Sequence, residues 1–80
     1  MMTNREKYVN AFVEMLEVDA SIVETLEYQG IDTWDSVGHM SLISELEDAF
    51  DIMMDTDDII DFSSFQKGIE ILKKYDVVIE

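Results

Sequence analysis

Apolar residues recur every three or four positions along most of this chain, the rhythm of helices with one buried face. Tyr8, Phe12, Met15 and Leu16 share a face of a helix predicted over about Asn4 to Glu17. Thr3 or Asn4 is its N-cap, and Glu6, Asn10, Glu14 and Glu17 turn to water. A second helix is predicted from Asp35 or Ser36 to about Phe50, where Leu42, Ile43, Leu46, Ala49 and Phe50 fall on one arc. Asp35 suits its N-cap, since a carboxylate takes up free amides and meets the positive end of the dipole. "DIMMDTDDIIDF" reads as a turn and a short third helix near Asp57 to Asp61, capped by Thr56. "SSFQKGIEILKKY" reads as a fourth, capped by Ser63 or Ser64, with Phe65, Ile69, Leu72 and Tyr75 inward. Lys73 and Lys74 lie at its C-terminal end, where the dipole favours cations.

One interval breaks the rhythm. "VDASIVETLEYQGIDTWD" is long for a connection in a small domain. Ile22, Val23, Leu26 and Ile31 are expected to pin it to the core. Asp19 or Ser21 can start a short helical turn, and Gly30 a bend. Ordered loops of this length often carry function. The predicted fold is all-α: a small four-helix bundle of three main helices and one short helix, with a long loop after the first. Its 80 residues make one domain, 1–80, with a modest core.

Two residues of the second helix stand out. Val37 points opposite Leu46, among Ser41, Ser44 and Asp48, so it is an exposed valine ringed by polar groups. A lone exposed valine is ordinary, but a spot like this also suits a docking partner. Met40 sits at the edge of the buried arc. His39, the only histidine, faces the core near the open first turn, where it can bond a loop carbonyl or shield the helix end.

Charge changes the picture of partners. Nineteen acids face five bases, a formal net charge of -14. No Lys or Arg occurs between Tyr8 and Gln66. Such a surface repels nucleic acid and anionic membrane and attracts basic patches. There is no cysteine, hence no disulfide framework and no thiolate of its own. No signal peptide or membrane span is read in the chain, so a cytoplasmic protein is expected.

Three kinds of chemistry compete for Ser36. Asp35, Ser36 and His39 contain the letters of a hydrolase triad, but all come from one helical turn. Triad members converge from separate elements, and no G-x-S-x-G elbow is present. The chain is therefore not expected to be an enzyme. Asp51, Asp55, Asp57, Asp58 and Asp61 crowd together. An EF-hand loop from Asp55 would need Gly and Glu where Ile60 and Gln66 stand, so no dedicated metal site is expected. The third option is a handle. A serine at the first helical position is exposed, and a phosphate ester placed there is stabilised by the helix N-terminus.

At this point a resemblance enters. "WDSVGHMSLISELEDAFDIMMDTDDIIDFSSFQKGIEILKKY" resembles an acyl carrier protein. Asp35, Ser36 and Val37 stand for the family's Asp-Ser-Leu at the start of the second helix. Leu46 and Glu47 stand for its Leu-Glu pair, and Phe50, Asp51 and Ile52 for its Phe-Asp-Ile exit. The resemblance implies that Ser36 accepts 4′-phosphopantetheine from coenzyme A, delivered by a phosphopantetheinyl transferase using magnesium. The arm's thiol would hold an acyl group as a thioester, and a chain without cysteine would borrow its working thiol. Val37, Met40, Glu45, Glu47 and Asp48 would form the face on which basic synthase or transferase enzymes dock. Met40, Ile43, Leu46, Phe50 and Ile59 would be candidates to shelter a chain.

The sequence departs from the family at Gly38 and Ser41, where acids are usual, and at Ser44, where an apolar contact is usual. The Gly38-His39-Met40 stretch resembles free-standing carriers of specialised clusters, and also aminoacyl and peptidyl carriers, whose motifs place Gly or His near the serine. The expectation is a monomeric carrier serving a fatty-acid, polyketide or other biosynthetic pathway. The alternatives are an aminoacyl or peptidyl carrier charged by an adenylating ligase, and an acidic decoy that covers a basic groove.

Overall fold

Helices in this molecule begin where a small polar side chain takes up loose amides. The computed structural model describes residues 2–80, with α1 (Asn4–Leu16), a 3₁₀ helix (Ala20–Thr25), α2 (Ser36–Phe50), α3 (Thr56–Asp61) and α4 (Phe65–Lys73). Thr3 accepts from the Glu6 amide while the Glu6 carboxylate accepts from the Thr3 amide, a reciprocal capping box. The Thr3 N–H holds the Glu6 carboxyl below the usual range. Asp19 caps the 3₁₀ helix through the Ser21 amide, which lowers its pKa in the same way. Ser64 caps α4 through the Lys67 amide. α3 starts one residue earlier than the sequence predicts: Thr56 is its first residue and Asp55 its N-cap, with no side-chain cap bond.

Two helices end in the left-handed region without glycine. Glu17 and Asp51 adopt φ of 55° and 53° as the C-caps of α1 and α2. That is why α1 stops at Leu16 rather than Glu17.

The core is aromatic. Tyr8 and Phe12 of α1 meet Phe62, Phe65 and Trp34, with Tyr8–Phe65 centroids 4.8 Å apart and Phe12–Trp34 centroids 5.4 Å apart. Off-parallel ring pairs of this kind add about 0.5–1.5 kcal/mol each beyond burial. The Tyr8 hydroxyl donates to the Phe65 carbonyl at 2.6 Å, and burial pushes the phenol far above its ordinary pKa. Leu16, Leu42, Ile43, Leu46 and Leu72 fill the remainder.

Some inward assignments need correction. Ile22 is exposed, because a 3₁₀ helix turns in threes and carries Val23 and Leu26 to the core instead. Ile31 is half-buried, as are Met15 and Ile69. Ile71 takes the deep place on α4. Trp34, absent from every helical stripe, is fully buried.

The long connection is tied down by backbone. Glu27 and Ser64 form an isolated antiparallel bridge, with the Tyr28 amide donating to the Ser63 carbonyl at 2.8 Å and the Phe65 amide to Leu26 at 3.0 Å. The chain bends at Gly30, but Gln29 takes the positive φ of 65°. This bridge fixes the end of the loop beside the start of α2.

Candidate functional site

Ser36 is the first residue of α2 and is exposed. Asp35 supplies the cap, accepting from the Gly38 amide at 2.8 Å. The cap leaves the Ser36 side chain free of the helix ladder. Its Oγ lies 3.3 Å from the Tyr28 hydroxyl, brought there by the bridged loop. Gly38 makes that approach possible. A Cβ on Gly38 would stand 2.0 Å from the Thr33 carbonyl oxygen and 3.3 Å from the Leu16 side chain. No side chain fits at this position, so the glycine there has a packing cause.

Ser36 stands between two concavities. On the outer side, a groove of about 630 Å³ runs along α2, lined by Val37, Met40, Ser41, Ser44, Glu45 and Asp48, with Met15 of α1 on its border. Val37 is 76% exposed and Met40 51%, as the helical wheel requires for Val37. Glu47 lies elsewhere. It is half-buried, and its carboxylate accepts from the Met54 amide at 2.9 Å, clasping the turn after α2. Four of the five expected face residues thus share the groove, and Glu47 has a structural bond of its own.

On the inner side, a cleft of about 330 Å³ opens between α2 and α3, lined by Tyr28, Ser36, His39, Met40, Ile59, Ile60, Phe62 and Ser63. Met40 and Ile59 were expected near a sheltered chain and do line it. Ile43 and Leu46 are sealed in the core at 1% and 0% exposure, and Phe50 is half-buried away from the cleft.

His39 closes the back of this cleft. The Trp34 indole N–H lies 3.0 Å from His39 Nδ1, and His39 Nε2 lies 2.8 Å from the Ile59 carbonyl. An indole N–H can only donate, so Nδ1 accepts and Nε2 carries the proton given to Ile59. The Trp34 and His39 rings lie nearly coplanar, 18° apart with centroids 6.2 Å apart, as the edge-to-edge hydrogen bond between them requires. Both imidazole nitrogens are occupied, and neither is directed at Ser36. The sequence suggested a loop carbonyl for His39; the carbonyl it meets belongs to Ile59, inside α3.

The aspartate cluster is dispersed. Asp58 turns inward, 7% exposed, to the Lys74 ammonium at 2.8 Å and the Tyr75 hydroxyl. The Tyr75 oxygen in turn accepts from the Asp55 amide. Lys74 first, then Tyr75, holds the Asp58 carboxyl below its ordinary pKa; Asp58 raises both partners. Among the described residues no three His, Asp or Glu side chains gather as metal ligands, and no helix is long and apolar enough to cross a membrane.

Sequence reading missed Tyr28 and Trp34. The available signal was "YQGIDTWD" itself: aromatics outside the helical stripes, flanking a bend, next to a helix start. Comparison with protein-family models, with curated proteins and with solved structures finds no match for this chain.

Proposed function

We propose that this protein is an acyl carrier: Ser36 bears a 4′-phosphopantetheine arm, and the arm presents an acyl thioester to successive enzymes. The observation that carries the reading is the placement of Ser36. It is an exposed hydroxyl on the first turn of a fifteen-residue helix, freed by the Asp35 cap and set at the head of an acidic groove with an exposed Val37.

Each part has a physical role. The helix N-terminus stabilises the phosphodiester that would form at Ser36 Oγ. Val37 and Met40 offer apolar anchors, and Glu45 and Asp48 attract basic enzymes and steer their approach. Gly38 keeps the first turn tight against the loop. The transferase and a loading ligase would be the first partners, and the chain itself would catalyse nothing. The aminoacyl-carrier variant differs only in the ligase that charges the arm.

The test is intact mass after incubation with coenzyme A, magnesium and a broadly specific phosphopantetheinyl transferase. Wild-type protein should gain one phosphopantetheine, while Ser36→Ala stays folded and gains nothing. An unmodified wild type, folded and beside an active control carrier, rejects the reading.

A further inference from the structure

The cleft beside Ser36 ends in a barrier that the carrier reading alone does not require. Its open end is apolar, with Met40 and Ile60 51% and 72% exposed. Its inner end is shut. His39 joins α2 to α3 through the Ile59 carbonyl and is itself fixed by Trp34. Behind it stand Phe62 and Trp34, at 1% and 0% exposure, with the His39–Phe62 centroids 6.1 Å apart. Ile43 and Leu46 do not line the cleft and are buried in the core at 1% and 0% exposure. A volume of about 330 Å³ is near the lower end of ligand pockets.

We infer that His39 is a size-limiting residue: its two hydrogen bonds bolt α2 to α3, so that the cleft seats a compact acyl group, short, branched or aromatic, and bars a long straight chain from the bundle interior. The inference rests on Ser36 being the point of attachment. Three features of the cleft suit such cargo. Met40, Ile59, Ile60 and Phe62 give it apolar walls. Tyr28 and His39, with ring centroids 5.3 Å apart at 67°, add two aromatic rings to its lining. The Tyr28 hydroxyl, 3.3 Å from Ser36 Oγ, puts a polar group beside the attachment point at the cleft mouth. A long chain would have to break the His39–Ile59 bond and leave the imidazole N–H and the Ile59 carbonyl unpaired in a dry site, which opposes entry.

The experiment supplies its own attachment chemistry. The chain lacks cysteine, so Ser36→Cys gives a single thiol at the mouth of the cleft. That thiol is coupled through a disulfide to propyl, benzyl or dodecyl groups from the matching alkylthiosulfonates. Benzyl and propyl should raise the melting temperature and shift the NMR signals of Tyr28, Ile60 and Phe62. Dodecyl should stabilise no more than propyl and leave the Ile43 and Leu46 methyl signals in place. Adding His39→Ala should let dodecyl, but not propyl, move those core methyls. His39→Gln, which keeps a donor for Ile59, should restore the barrier. The inference is overturned if dodecyl shifts Ile43 and Leu46 while His39 is present, or if benzyl leaves the cleft signals unmoved. No transferase is involved, so a failure here is separate from a failure of Ser36 to accept phosphopantetheine. The decisive comparison in the His39 background needs no variant at that position.

Discussion

The molecule is fastened in two ways. α1 is held to α2, α4 and the loop by interlocked aromatic and aliphatic side chains. Tyr8, Phe12, Trp34, Phe62 and Phe65 touch ring to ring, and Gly68 exists because a Cβ there would strike Phe62 and Tyr8. α3 has only six residues, one of them buried, and that one is Asp58. It is secured by separate polar ties: Ile59 to His39, Asp58 to Lys74 and Tyr75, and the Met54 amide before it to Glu47. Burial is nondirectional and accumulates over many contacts, whereas each tie can be undone alone. The comparison assigns permanence to the body and adjustability to the side that faces Ser36.

The strongest way to break that contrast is Phe12→Ala. Truncating a fully buried aromatic costs about 3–5 kcal/mol, comparable to the whole stability of a domain this small. Denaturant unfolding should show collapse of α1, α2 and α4 together. Survival of a cooperative transition at the wild-type midpoint would mean the body is not a single packed unit.

Gly38→Ala should come next, at roughly 1–3 kcal/mol, the usual cost of overpacking, since the new methyl meets a backbone carbonyl that cannot rotate away. Its thermal midpoint should fall, and phosphopantetheine loading should slow because the Thr33 loop and the first turn of α2 are pushed apart. An unchanged midpoint would show that the loop yields freely.

Acid sharpens the contrast from the polar side. Asp58 has a folded pKa below its unfolded value, so its contribution is complete above the ordinary carboxylate range and is lost as pH falls through the depressed value. Lys74 is shifted upward, so its share of the tie is present at neutral pH and lost only in strong base. On descending pH the amide protection factors, corrected for the intrinsic exchange rate, should fall first in α3, ahead of α1, and Asp58→Asn should remove that lead. Simultaneous loss in both helices would erase the distinction.

The smallest effect is a gain. Asp51→Gly relieves a left-handed cap at φ 53° and should add about 1 kcal/mol, read as a higher melting temperature with α3 exchange unchanged.

The same division decides what the sequence could reveal. Helical periodicity located α1, α2 and α4, because a buried stripe is written directly in the spacing of residues such as Leu42, Ile43 and Leu46. Side-chain chemistry narrowed four caps to a pair of nearby residues each, from which the structure takes Thr3, Asp19, Asp35 and Ser64, and it misplaced the cap of α3 by one residue. Ser36 and Val37 could be placed from the wheel alone. The polar ties could not. Glu47 reaching Met54, or Glu27 bridging Ser64, depends on where separate segments meet in space, and no period encodes that. Trp34 was hidden for the same reason: its burial comes from the loop folding back, not from a helix face. His39 was legible as a core-facing group in search of a carbonyl, but that the carbonyl is Ile59 of α3 rather than one of a loop needed the fold.

The hydrogen-bonded Trp34–His39 pair has an optical consequence. Trp34 is the only tryptophan, so all indole emission from this chain comes from one ring, dry and hydrogen-bonded to His39. Its colour and brightness are therefore a gauge of that single junction. Moving the imidazole away, or admitting water behind it, shifts the spectrum to the red without any added dye. A cuvette fluorimeter can follow the opening of the α2–α3 seam in real time, on the unlabelled protein.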